Sequence, residues 1–161
     1  MTSDREALRQ GQELAEAIDE IASRLRRALV AAYGVEVGCE AAADATAWAW
    51  EHREELATMQ NPAGYLYRVG QSAARRYRNR PVRLPEASTS TVDDVVIDPR
   101  LPVALEALSA RQRAAVILVH AHGYGLTEAA GVLGVSVSSL RNHLNRGLRH
   151  LRTALGEDDH D

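Results

Sequence analysis

Between Leu133 and Arg152 the chain reads LGVSVSSLRNHLNRGLRHLR, with four arginines, and no acidic residue stands between Glu128 and Glu157. Leu140, Leu144, Leu148, Leu151 and Leu155 recur at steps of three and four, which is the period of an amphipathic helix. With that stripe turned inward, Ser138, Ser139, Arg141, Asn142, Asn145, Arg146 and Arg149 face outward. Hydroxyl, amide and guanidinium groups are the ones that pair with base edges and phosphate oxygens. The missing carboxylates remove repulsion from a polyanion. A merely solvated amphipathic helix would need no such exclusion of acids.

The residues just upstream give this helix a partner. In LTEAAGVLGVSVSSLRNHL, Ala130 supplies the small residue at which two helices cross, and Gly134 follows four residues later in a turn. Leu133, Val135, Leu140 and Leu144 supply the apolar contacts. That is helix-turn-helix spacing, which sets the second helix at the steep angle needed to enter a major groove. Ser136 is the expected cap of the second helix and Thr127 that of the first, where Thr127 also joins the set expected to face DNA.

The elements that must position these groups are helical throughout. The chain has 161 residues, no Phe, and apolar content drawn mainly from Ala, Leu and Val, which favours helix packing. The fold class expected is all-α: two small helical domains joined by a flexible linker. Leu14, Ile18, Ile21, Leu25, Leu29 and Ala32 mark a first helix ending at Gly34. After GVEVG, residues 39–56 read as an Ala-rich second helix carrying Trp48 and Trp50 on different faces. Asn61 and Pro62 open a third, with Leu66, Val69, Ala73 and Tyr77 as its buried stripe. Residues 81–100 hold three prolines, a Ser/Thr run and clustered acids, and read as the linker. A short helix LPVALEAL follows, and Ser109 with Gln112 forms a capping box for the helix that runs to Gly123. The expected domains are therefore 1–80, a linker at 81–100, 101–156, and an acidic tail at 157–161.

The net charge of −3 conceals a second acid-free window, from Leu56 to Pro85, containing Arg68, Arg75, Arg76, Arg78, Arg80 and Arg83. Two basic windows on one chain suggest two phosphate-facing surfaces. Tyr65 and Tyr67 offer faces on which an extruded base could stack, although helix packing suits at least one of them better. His120 and His122 lack a third ligand, Cys39 is the sole cysteine, and there is no phosphate loop, nucleophile elbow or metal cluster. No enzymatic activity, cofactor or resident metal is expected. The polar N-terminus, the absence of a long apolar run and the single cysteine point to a cytoplasmic protein without membrane insertion.

The segment ALSARQRAAVILVHAHGYGLTEAAGVLGVSVSSLRNHLNRGLRHLR resembles the promoter-binding C-terminal domain of bacterial RNA polymerase sigma factors of the two-domain extracytoplasmic-function type. Upstream, NPAGYLYRVGQSAARRYRNR is similar to that family's helix contacting the −10 promoter element. The resemblance implies a protein that binds core RNA polymerase and promoter DNA, and is held by an anti-sigma factor in some cases. It places Tyr65, Arg68, Arg75, Arg76 and Arg78 at the −10 element and the helix-turn-helix at the −35 element. It places Glu40, Asp44 and Trp50 at the polymerase clamp. There the family commonly carries Asp-Leu-Val-Gln-Glu-x-Phe; aligning Trp50 sets Glu40 to Thr46 opposite it, with Ala43 and Thr46 in place of the amide and the aromatic. Two other readings stay open: a DNA-binding regulator with a sigma-like or LuxR-like helix-turn-helix that is not a true sigma factor, and an interaction protein that captures polymerase or an anti-sigma partner.

Overall fold

The computed structural model describes residues 2–77, 81–83 and 98–156. Most of the expected linker, at 84–97, the acidic tail at 157–161, and Arg78 with Arg80 lie outside the described residues. The secondary structure among the described residues is helical, with no strand. Four helices form the N-terminal unit: α1 (Thr2–Tyr33), α2 (Val35–Glu51), α3 (Arg53–Ala57) and α4 (Pro62–Ala74), the last ending in a 3-10 turn at Arg75–Tyr77. Four more form the C-terminal unit: α5 (Leu101–Glu106), α6 (Ala110–Val116), α7 (Leu126–Leu133) and α8 (Val137–Leu155).

Glycine and alanine set how closely the N-terminal helices approach. Gly34 adopts φ +82°, a left-handed conformation that stops α1, and its amide returns to the Val30 carbonyl at 2.8 Å. The chain restarts at once, so GVEVG is the first turn of α2 rather than a loop, and α2 begins at Val35 instead of near Cys39. A Cβ on Gly38 would lie 2.5 Å from the Val30 Cα, so only glycine permits this crossing. Ala41, Ala42, Ala45 and Ala49 bury α2 against α1 and α4. The second helix also stops earlier than its composition suggests, at Glu51. His52 leaves the helical region, stacks flat on the Trp48 ring at 4.1 Å and brings its Nδ1 to the Trp48 carbonyl at 2.9 Å.

In the C-terminal unit both halves of the Ser109/Gln112 capping box are present. Beyond Val116, α6 widens into a π turn at Ile117–Ala121 that a regular helical period does not announce; the His122 amide reaches back to the Ile117 carbonyl at 3.0 Å. Gly123, at φ +70°, ends it. One further correction concerns Thr127: α7 starts at Leu126 with Gly125 as its cap, so the Thr127 hydroxyl caps nothing and is exposed in the first turn.

The two units pack together through a buried cation. Arg113 of α6 is 4 % exposed. Its Nε donates to the Ala31 carbonyl at 3.1 Å and its other nitrogens to the carbonyls of Ala32, Leu105, Glu106 and Leu108. The last turn of α1 has no basic residue of its own, so this guanidinium supplies the donors and positive charge that a helix C-terminus favours. It does the same for the end of α5. Replacing Arg113 by Met should leave these carbonyls without a donor and lower stability by about 3 kcal/mol, since one unsatisfied buried group costs about 1–3 kcal/mol. Arg113→Lys should recover only part, because an ammonium cannot span five acceptors as a planar fork does. Urea denaturation of the full chain checks both; an unchanged midpoint for Arg113→Met would contradict this role.

Candidate nucleic-acid interface

The helix-turn-helix forms as its spacing requires. Gly134 takes φ +63° at the end of α7, and the Val135 amide reaches the Ala130 carbonyl at 3.0 Å, closing a three-residue turn, 134–136. Ala130 is buried at the crossing. The Ser136 hydroxyl caps α8, accepting from the Ser139 amide at 3.1 Å. Leu140, Leu144 and Leu151 are buried and Leu148 and Leu155 half-buried. Gly147 lets α8 lie tightly on α6, where a Cβ would stand 2.9 Å from the Val116 side chain.

That packing leaves Ser138, Arg141, Asn142, Asn145, Arg146 and Arg149 exposed along one helix, with no carboxylate among them. Ser139 differs from expectation: it is half-buried, and its hydroxyl is bonded to Ser136 at 2.9 Å. His143, which periodicity did not single out, lies beside it. Tyr67, Arg68 and Gln71 of the N-terminal unit and Arg111, Gly134, Ser139 and His143 of the C-terminal unit line a polar cleft of about 220 Å³. Burial first, then the Arg111 and Arg146 charges, hold His143 below the usual imidazole value.

Residues 100–151 match the family model described as "Sigma-70, region 4". The C-terminal unit is thus similar to sigma-70 region 4. The whole chain shares its fold with the sigma factor RpoE from Bartonella quintana, solved in complex with the anti-sigma factor NepR; the two are 19% identical, with a TM-score of 0.61 over 92% of this chain and 99% of that one. No curated protein matches the chain.

Outside region 4, the expected site residues separate. Tyr67 is 2 % exposed and belongs to the core, where burial pushes its phenol well above the usual range. Tyr65 is 40 % exposed and lies against Trp48, ring centroids 5.1 Å apart. Arg68, Arg75 and Arg76 are exposed, as the stripe of Leu66 and Ala73 demands. Two of them already have partners: Arg68 donates to the Gly134 carbonyl at 3.3 Å, and Arg76 pairs with Asp44 at 3.1 Å. Asp44 and Arg76, expected to face polymerase and DNA respectively, thus meet each other. Glu40 is half-buried, and Trp50 is 40 % exposed at the end of α2. Among the described residues no group of His, Cys, Asp and Glu is placed to hold a metal, and no helix is long and apolar enough to cross a membrane.

Two measurements follow from region 4. Arg141→Ala or Asn145→Ala should cost about 1–3 kcal/mol on a specific duplex and much less on a scrambled one, while Arg149→Ala should weaken both alike and reduce the salt slope by about 0.9. Equal losses on both duplexes for Arg141→Ala would assign it to phosphate. His143 predicts a pH effect as well. Its folded value is depressed, so the unfolded chain takes up the proton first. Stability should fall as pH drops below about 6.5, and His143→Gln should flatten that slope in urea titrations at pH 7.5 and 5.5.

Proposed function

We propose that this protein is a promoter-specificity factor for transcription: it binds core RNA polymerase and recognises promoter DNA without chemistry of its own, in the cytoplasm. The observation that carries this reading is the acid-free, outward face of α8, presented by a region 4 helix-turn-helix inside a chain whose whole fold follows a sigma factor. In this role α8 reads the −35 element through Arg141, Asn142 and Asn145, with Arg146 and Arg149 on the phosphates. The N-terminal unit meets the −10 element through Tyr65, Arg68, Arg75 and Arg76, and the polymerase through the α2 surface around Glu40, Asp44 and Trp50. An anti-sigma factor is the expected class of antagonist, as for the similar protein from Bartonella quintana.

A second reading, a DNA-binding regulator that does not replace a sigma factor, is favoured by one observation. Asp44 and Arg76 are engaged with each other, and Ala43 and Thr46 offer the clamp neither an amide nor an aromatic ring. Both readings are tested by transcription from a genomic fragment library with core polymerase plus this protein, sequencing the new 5′ ends. Initiation at a discrete set of promoters, absent with core alone, is the expected result; duplex binding without initiation would establish the regulator instead. On a recovered promoter, Arg75→Ala/Arg76→Ala should reduce permanganate reactivity of the −10 element, and melting at wild-type levels would remove these arginines from the mechanism.

A further inference from the structure

The polar cleft lined by Tyr67, Arg68, Gln71, Arg111, Ser139 and His143 collects cations without an acid to balance them. No carboxylate is among its lining residues, although the chain as a whole carries more acids than arginines. Elsewhere exposed arginines pair with acids at short range, as Arg9, Arg24, Arg76 and Arg100 do. The side chains of Arg111 and His143, by contrast, make no hydrogen bond or ion pair with any described residue.

The donors gathered there are of the kinds that hold oxyanions. Arg68 commits one nitrogen to the Gly134 carbonyl at 3.3 Å and retains the other N–H groups of its guanidinium. The Ser139 hydroxyl accepts from Ser136 at 2.9 Å and so keeps its own proton to donate. Ser139 also stands in the first turn of α8, at the positive end of a 19-residue helix. Burial first, then the Arg111 and Arg146 charges, oppose protonation of His143. An anion among these groups reverses that balance, because it favours the imidazolium, which donates from both ring nitrogens. Like charges brought together without a counter-charge cost free energy, and an entering anion offsets that cost.

We propose that this cleft binds a small phosphate-bearing anion through Arg111, Arg68, His143 and the Ser139 hydroxyl. Its volume of about 220 Å³ is several times the roughly 30 Å³ that a water occupies in the liquid. That suits one tetrahedral oxyanion or a short phosphoanhydride and is too small for a nucleic-acid duplex. The polar lining disfavours an apolar ligand, and the absence of carboxylates disfavours a cation. Arg141, Asn142 and Asn145, proposed above to read the −35 element, line no part of the cleft; of the proposed promoter contacts only Arg68 belongs to it.

Calorimetric titration of the full chain with pyrophosphate, at fixed ionic strength, tests this. One saturable site is expected, with the amide resonances of Gln71, Ser139 and His143 shifting as it fills. Arg111→Gln and His143→Gln should each weaken binding about tenfold, as loss of one hydrogen bond to a charged group predicts. Arg152→Gln, an exposed cation further along α8 and outside the cleft, should leave it unchanged. Arg111 is exposed, so its replacement should keep the wild-type urea midpoint, and His143→Gln reads the same site independently. A wild type that does not bind pyrophosphate would overturn the proposal, as would equal losses for Arg152→Gln and Arg111→Gln. A short duplex separates the two sources of phosphate: Arg111→Gln should bind it as the wild type does. Lost duplex affinity in that variant, with no pyrophosphate site in the wild type, would give the cleft to the DNA backbone instead.

Discussion

A single guanidinium holds the molecule's two halves in register. Arg113 is withdrawn from water and donates only to main-chain carbonyls, at the ends of α1 and α5 and at Leu108. Burying a charge without partners is prohibitive, whereas burying it among five oriented carbonyl dipoles satisfies it and the helix ends together. Burial pulls its pKa down, yet an arginine remains charged at any pH at which the protein folds. The interaction is directional, so it specifies where α6 stands against α1 in a way that apolar contact alone does not. The placement of α7 and α8, packed on α6, follows from it.

The second constraint is the scarcity of large side chains at the crossings. Gly38 on Val30, Gly70 on Leu29, Gly64 on Gly134 and Gly147 on Val116 are points of close approach, and at Gly38 the facing atoms are backbone, so no other residue fits there. With no phenylalanine in the chain, close backbone approach and alanine burial replace bulky interdigitation.

Electrostatics divides the surface in a complementary way. Among the described residues of the C-terminal unit, Arg141, Arg146 and Arg149 make no ion pair, and their field reaches over about a Debye length. In the N-terminal unit two of the comparable arginines, though exposed, bond to protein partners, Arg76 to Asp44 and Arg68 to Gly134. The C-terminal unit therefore presents an exposed cationic helix face, while two exposed arginines of the N-terminal unit bond to other parts of the protein.

Much of this was legible in the residues alone. The all-helical class, the Asn61, Ser109 and Ser136 caps, the turn at Gly134 and the inward leucines of α8 all follow from local rules acting over a few residues, and all are present. The resemblance to sigma factors rested on the same local patterns. Periodicity was silent wherever the cause lay across the chain. It could not show that α2 begins at Val35, because the reason is the space beside Val30 that only Gly38 fits. Nor could it show the π turn after Val116, the burial of Tyr67 rather than Tyr65, or the pairing of Asp44 with Arg76. Arg113 is the clearest case: within its own helix it is one more cation, and only the carbonyls of Ala31 and Ala32, some eighty positions away, turn it into a buried clasp. Hydrogen-bond satisfaction and close packing are properties of three-dimensional neighbours, so the chain's order determined which helices exist while the tertiary structure decided which of their charges face solvent.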